Sequence, residues 1–323
     1  MRGAVRAGMS QDWFVKMLAR KRQGGLDATL DAQIAAALEF ERLARLPHVE
    51  DMEPAAARKY ASEGLSLLDP DPMPMAQVID TQVDKIPVRL YVPHDAGPDW
   101  LVFFHGGGGV IGSIETADVF ARYVAERTKL TLGSVEYRLG PEHKHPAAID
   151  DAIAAWDGLV QRAPSGSKIA VGGDSFGGFL AAHVDHAARR RPDVQLLIYP
   201  LVDLTLSSPS IERLGEGYLL TKKMVYWFRN HYLNEWDDQK AGSPWYWPDV
   251  TGSAPAIIAT AGFDPLVDEG NAWAKRLRDA GVTVRHHCYE SLVHGFISMV
   301  GAVTAARAAV DALCADLVEM LRS

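Results

Sequence analysis

The chain has 323 residues, 48% of them hydrophobic, with a net charge of −8 and a pI near 5.8. That is enough apolar material for a large core in one α/β domain with insertions, and the acidic balance argues against a nucleic-acid or anionic-membrane surface. Two cysteines, Cys288 and Cys314, cannot form a disulfide scaffold, the start from Met1 to Gln11 has no apolar signal core, and no run approaches a membrane span, so a soluble, cytoplasmic protein without stable membrane association is expected.

In chain order, residues 1 to about 65 read as amphipathic helix without strands: Leu26, Leu30, Ile34, Ala37 and Leu38 share one face, and Pro54 and Gly64 punctuate the later part of the segment. From about residue 77 strands alternate with helices. Predicted strands run over 88–92, 101–105, 132–137, 169–173, 195–199, 256–263 and 282–289. Helices carrying Ile149, Ala152, Ile153, Trp156 and Leu159, and a last one with Val310, Leu313, Leu317, Val318 and Leu321, each show a single apolar stripe. The alternation predicts a mostly parallel sheet covered on both faces. There is no internal repeat and no low-complexity tract.

The strand ending at Phe104 runs directly into His105-Gly106-Gly107-Gly108-Gly109. Glycines there let bare backbone N–H groups converge on one point, as an oxyanion requires. A phosphate loop is the competing reading of such glycines, but no GxGxxG spacing and no Lys-Ser/Thr pair comes after it. His105 precedes any nucleophile in the chain and reads as a support for the loop.

Gly172-Gly173-Asp174-Ser175-Phe176-Gly177-Gly178 follows the apolar run Ile169 to Val171 and opens an alanine-rich helical stretch. A serine on a tight strand-to-helix turn needs small neighbours at Gly173 and Gly177, and it stands at a helix N-terminus that favours a developing anion. Downstream, the strand 256–263 ends at Asp264, with Pro265 forbidding its continuation, while Asp268 sits where a helix over Asn271 to Ala280 would begin and reads as an N-cap or first-turn acid. His294 falls after the last predicted strand. Ser175, Asp264 and His294, 89 and 30 residues apart, stand in the order nucleophile, acid, base.

The other histidines fit less well. His183 and His186 are i, i+3 on the helix after the serine, a spacing that could bind metal but with no third ligand apparent; His143 and His145 occupy a proline-flanked loop, and His286 and His287 a strand. Arg138 and Glu142 read as a buried or loop-fixing ion pair.

These motifs together resemble the hormone-sensitive-lipase-like esterases, a bacterial branch of the α/β-hydrolase superfamily with an HGGG loop and a GDSAG elbow. Glu136 to His143 with Pro146-Ala147-Ala148 is similar to that family's YRLAPEHPFPAA stretch, Asp264 to Glu269 to its DPLRDE, His294-Gly295-Phe296 to its HGF, and Ser243-Pro244 to its SPL segment. The resemblance covers about residues 75 to 323. It implies an α/β-hydrolase fold with a mostly parallel sheet of about eight strands, a helical cap from residues 1–65 and an insertion at 205–250, and a catalytic domain made of 66–204 and 251–323. The insertion holds nine of the 28 aromatics, most of which read as anchors, with some walling the pocket.

The resemblance also implies a serine carboxylester hydrolase acting on short- to medium-chain acyl esters through Ser175, His294 and Asp264. The oxyanion donors are Gly107 and Gly108, with Gly106 as the alternative, and Phe176. No metal or cofactor is needed, the partner is a small-molecule ester, and a homodimer is compatible with the pattern. A lactonase, amidase or deacetylase with the same triad, or a non-catalytic ligand receptor on this fold, are the alternative readings. Two positions depart from the family: Phe176 replaces the usual alanine after the nucleophile, and Gly109 the usual aromatic after HGGG. Gly109, Phe176, Tyr218 and Leu266 are the candidate substrate-binding residues.

Overall fold

A computed structural model describes residues 11–20, 22, 29–64 and 70–323. The predicted sheet is present, with eight strands: β1 (Gln77–Val83), β2 (Ile86–Val92), β3 (Trp100–Phe104), β4 (Thr131–Val135), β5 (Ile169–Asp174), β6 (Val194–Ile198), β7 (Ala256–Phe263) and β8 (Val284–Val293). Their order across the sheet is β1-β2-β4-β3-β5-β6-β7-β8. β2 is antiparallel to β1 and β4, and every other neighbour is parallel.

The central strands β3, β4 and β6 are buried along their whole length because both faces are covered. In β3, Leu101 and Phe103 enter one core while Val102 and Phe104 enter the other, and in β7 Ile257 and Ala259 divide from Ala256 and Ile258 in the same way. Side chains alternate along a strand, so only a continuous apolar run can serve two cores. One layer of helices, α5 (Ala147–Arg162), α6 (Phe176–Ala187) and α9 (Val267–Asp279), supplies Trp156, Phe179 and Trp273 to the core that holds Val102 and Phe104. Opposite lie α4 (Ile114–Thr128) and α10 (Thr304–Arg322), which supply Phe120, Val124, Leu313 and Leu317. Each of these buried side chains contributes about 1.5–3 kcal/mol.

β1 is the strand that the apolar pattern does not single out. It is a sheet edge, paired on one side only, with five of its seven residues exposed, and it turns into β2 through Asp84 and Lys85 at φ 46° and 70°.

The N-terminal segment is helical as expected, with α1 (Asp12–Ala19), α2 (Ala32–Ala44) and α3 (Pro54–Gly64), and no strand among its described residues. Leu30, Ile34 and Leu38 are buried as one face, whereas Leu26 lies outside the described residues. The insertion carries α7 (Pro209–Arg213) and α8 (Lys222–Tyr232). No helix among the described residues is long and apolar enough to cross a membrane.

Candidate active site

β5 delivers its last residue, Asp174, to a turn in which Ser175 has φ 55° and ψ −117° before α6 begins at Phe176. That backbone shape is strained for any residue with a side chain. It is held by the Ser175 N–H, which donates to the Ile198 carbonyl at 2.8 Å, and by the Ser175 carbonyl, which accepts from the Leu201 N–H at 3.2 Å. The small neighbours are required by contact: a β-carbon on Gly177 would lie 1.9 Å from the Phe104 carbonyl oxygen, and one on Gly173 would lie 2.2 Å from the Gly177 backbone.

Ser175, Asp264 and His294 meet at the carboxyl edge of the sheet. His294 Nε2 lies 3.0 Å from Ser175 Oγ, and His294 Nδ1 lies 2.8 Å from Asp264 Oδ2. Asp264 is fully buried, and its Oδ1 accepts the Leu266 N–H at 2.8 Å. The carboxylate is thus fixed in orientation before it meets the imidazole. Above it, the Tyr199 ring packs on the His294 ring with centroids 4.4 Å apart. The rival acid is engaged elsewhere, because Asp268 in the first turn of α9 pairs with Arg213 at 2.8 Å. It is a first-turn acid and not the N-cap, since that position belongs to Leu266.

The glycine loop arches over the serine. Gly107, Gly108 and Gly109 have φ of 110°, 61° and 72°, a run of positive-φ residues that glycine adopts without strain. The Gly107 carbonyl accepts from the N–H groups of Val110 and Ile111, both at 3.0 Å, which closes the turn. Gly106 is not available as an oxyanion donor: its N–H donates to Asp174 Oδ1 at 2.7 Å. No hydrogen bond among the described residues uses the N–H of Gly107, Gly108 or Phe176.

His105 supports this loop, as expected. It is buried, its Nδ1 lies 2.8 Å from the Gly106 carbonyl oxygen, and its ring stacks on Tyr137 at 4.4 Å. The Tyr137 hydroxyl donates to the His105 carbonyl at 2.7 Å. Burial pushes the imidazole down to about 4, so it is neutral at physiological pH. Asp174 shifts the other way. Burial of its carboxyl raises it to about 6, although the charge of His294 and the Gly106 N–H oppose the rise. Neither Asp174 nor Tyr137 stands out in the sequence as a functional residue, and the only signal there is position, beside the nucleophile and within the stretch that precedes the proline-flanked loop.

A cavity of about 940 Å³ opens on the serine and is lined by His294, Gly107, Gly108, Phe176, Tyr218 and Leu266. Its far walls come from α2 and α3, through Ile34, Leu38 and Tyr60, and from α8, through Met224, Phe228 and Tyr232. Of the nine insertion aromatics, Tyr218, Phe228 and Tyr232 line the cavity, Tyr226, Trp227, Trp245 and Trp247 pack against the core, and Trp236 and Tyr246 are exposed. Gly109 does not line it. The left-handed turn directs residue 109 back into the protein, against Phe176 and Tyr232.

The remaining candidates are packing groups. His183 Nδ1 donates to the Phe179 carbonyl at 2.9 Å, and His186 stacks on Trp247 at 4.1 Å. Arg138 and Glu142 do not pair with each other: Arg138 binds Asp151 at 2.7 Å, and Glu142 binds Arg58 at 2.6 Å.

A family model described as the alpha/beta hydrolase fold matches residues 101–298. Over 292 residues the chain is 36% identical to the carboxylic ester hydrolase LipN of Mycobacterium tuberculosis, covering 84% of this chain and 78% of that one. It is 33% identical to the ethyl acetate hydrolase of Pseudomonas putida, covering 84% and 93%. Among solved structures, an alpha/beta hydrolase enzyme from the metagenome of Lake Arreo is 35% identical and superposes with a TM-score of 0.87, covering 92% of this chain and all of that one.

Proposed function

We infer the reaction from the family: the chain belongs to the α/β hydrolases, in their hormone-sensitive-lipase-like branch, and acts as a serine carboxylester hydrolase on short- to medium-chain acyl esters. The observation that carries the assignment of residues is the continuous Ser175, His294, Asp264 contact chain, at 3.0 and 2.8 Å, at the floor of an apolar cavity.

In the proposed reaction the Ser175 hydroxyl donates to His294 Nε2 while His294 Nδ1–H donates to Asp264. His294 removes the serine proton as Oγ attacks the ester carbonyl, and Asp264 stabilises the imidazolium that results. The carbonyl oxygen becomes an oxyanion facing the N–H groups of Gly107, Gly108 and Phe176, each donor contributing about 10²–10³ in rate. His294 then protonates the leaving alcohol, giving an acyl-enzyme. Water, deprotonated by His294, attacks it and releases the acid and free Ser175.

We also propose that residues 1–65 and 205–250 act as a cap over a catalytic domain of 66–204 and 251–323. The supply of cavity wall by α2, α3 and α8 supports that division. A cytoplasmic setting fits two unpaired cysteines, Cys288 and Cys314.

The test is pre-steady-state hydrolysis of p-nitrophenyl acetate. A burst of nitrophenol equal to the enzyme concentration, lost in Ser175→Ala, is expected. A wild type that binds the ester without a burst or turnover would indicate a ligand receptor instead.

A further inference from the structure

The N-terminal segment reaches the glycine loop through the side chain of Arg58. Arg58, on α3, points its guanidinium between two loops, and all three of its nitrogens are engaged. Nε donates to the Val110 carbonyl at 2.8 Å and Nη2 to the Gly140 carbonyl at 2.7 Å. Nη1 and Nη2 also grip the Glu142 carboxylate, at 2.9 and 2.6 Å. A planar fork with fixed donors suits such a task, because each bond orients the others.

Both carbonyls belong to the framework that aims Gly107 and Gly108. Val110 closes the turn through its N–H to the Gly107 carbonyl at 3.0 Å, and Gly140 holds the loop through its N–H to the Gly109 carbonyl at 2.8 Å. Arg58 therefore ties the far end of the glycine turn to the loop that braces it. The α3 helix is itself seated by Ala57 and Ala61, both buried, and Tyr60 and Ala61 of the same helix wall the cavity. One helix thus shapes the cavity and restrains the loop.

We propose that Arg58 is a positioning residue for the reaction: it holds the Gly107 and Gly108 N–H groups at the place where the oxyanion forms, which makes the N-terminal segment part of the catalytic apparatus as well as a wall. This rests on the ester-hydrolase reading above. Misplacement of a positioned group by an ångström costs about a hundredfold in rate, so loss of Arg58 should act on the chemical step and leave ester binding nearly intact.

The experiment measures kcat and KM on p-nitrophenyl butyrate for the wild type, Arg58→Ala and Arg58→Lys, with active sites counted by stoichiometric phosphonylation, and inhibition by a trifluoromethyl ketone that forms a tetrahedral adduct. Arg58→Ala is expected to lower kcat per counted site by about 10- to 100-fold, with KM within about threefold and inhibitor affinity falling in parallel with kcat/KM. Arg58→Lys keeps the charge but cannot span both carbonyls, so an intermediate loss is expected. If Arg58→Ala does not fold, Arg58→Lys alone decides. A kcat per counted site within threefold of wild type, in whichever variant folds, overturns the proposal even if the melting temperature drops. A wild type without turnover would instead overturn the ester-hydrolase reading.

Discussion

The ring of Phe176 occupies the place where a side chain on residue 109 would stand: its Cζ lies 2.7 Å from the position of a β-carbon on Gly109. The ring is 1% exposed and packs edge-on against Tyr232 at 4.8 Å and stacked on Phe179 at 5.1 Å. The Phe176 ring thus fills the space that a side chain at position 109 would need.

Phe176→Ala keeps the backbone N–H, so hydrolysis of acetyl esters should survive within about tenfold, while the added space should favour longer acyl chains by about 1–3 kcal/mol. Emptying so enclosed a site should also destabilise the fold by about 3–5 kcal/mol. Gly109→Trp alone has neither the space nor the backbone shape, since φ there is 72°. In the Phe176→Ala background the space exists, and the pair should be non-additive. The measurement is kcat/KM from nitrophenyl acetate to decanoate for all four proteins, and parallel profiles would leave Phe176 an ordinary packing residue.

A second prediction separates the two acids. On the proposed mechanism, Asp264→Asn should lower kcat by about four decades at neutral pH, because the imidazole loses its orientation and counter-charge. Asp268→Asn removes a partly exposed pair with Arg213 and should reduce stability by at most about 1 kcal/mol with kcat unchanged. The reverse pattern would assign the acid to Asp268.

How far each feature is legible in the sequence depends on the physical signal behind it. Strands β3, β5 and β7 announce themselves because burial on both faces demands unbroken apolar runs, whereas Gln77–Val83 is a half-solvated edge whose polar residues hide it. Ser175, Asp264 and His294 are legible because each directly follows a strand, β5, β7 and β8 in turn, at the same sheet edge. Gly109 is misplaced by a reading from sequence because adjacency in the chain says nothing of direction, and its left-handed backbone turns it away from the cavity. Arg58 leaves no local trace: it acts on carbonyls 52 and 82 residues away, contacts that exist only after the chain closes.

A third prediction concerns the insertion. A β-carbon on Gly108 would lie 2.2 Å from Cγ of Phe228, on α8, and would have to adopt φ 61°. Gly108→Ala should therefore displace the loop and lower kcat by about a hundredfold. Adding Phe228→Ala removes the collision but not the backbone strain, so recovery should be partial. Equal kcat in the single and double variants would show that strain, not the α8 contact, sets the loss.

The last prediction is a pH dependence that isolates Asp174. Burial raises this carboxyl to about 6, so between about pH 4 and 6 the folded protein holds a proton that the unfolded chain has released. By linkage the wild type loses stability as pH rises through that window, by about 2–3 kcal/mol in total. Asp174→Asn cannot titrate and escapes this loss, while its amide oxygen can still accept the Gly106 N–H. The stability of Asp174→Asn relative to wild type should thus climb from pH 4 to pH 7 and level off. His105 works in the opposite sense, since burial holds it down near 4 and its contribution fades as pH falls below about 6.5, but it is common to both proteins and cancels in the difference. Denaturant unfolding of the two proteins at pH 4, 5, 6, 7 and 8 gives the comparison directly. A difference that is flat across the series would mean that Asp174 is ionised throughout, with the Gly106 N–H and the imidazole outweighing its burial.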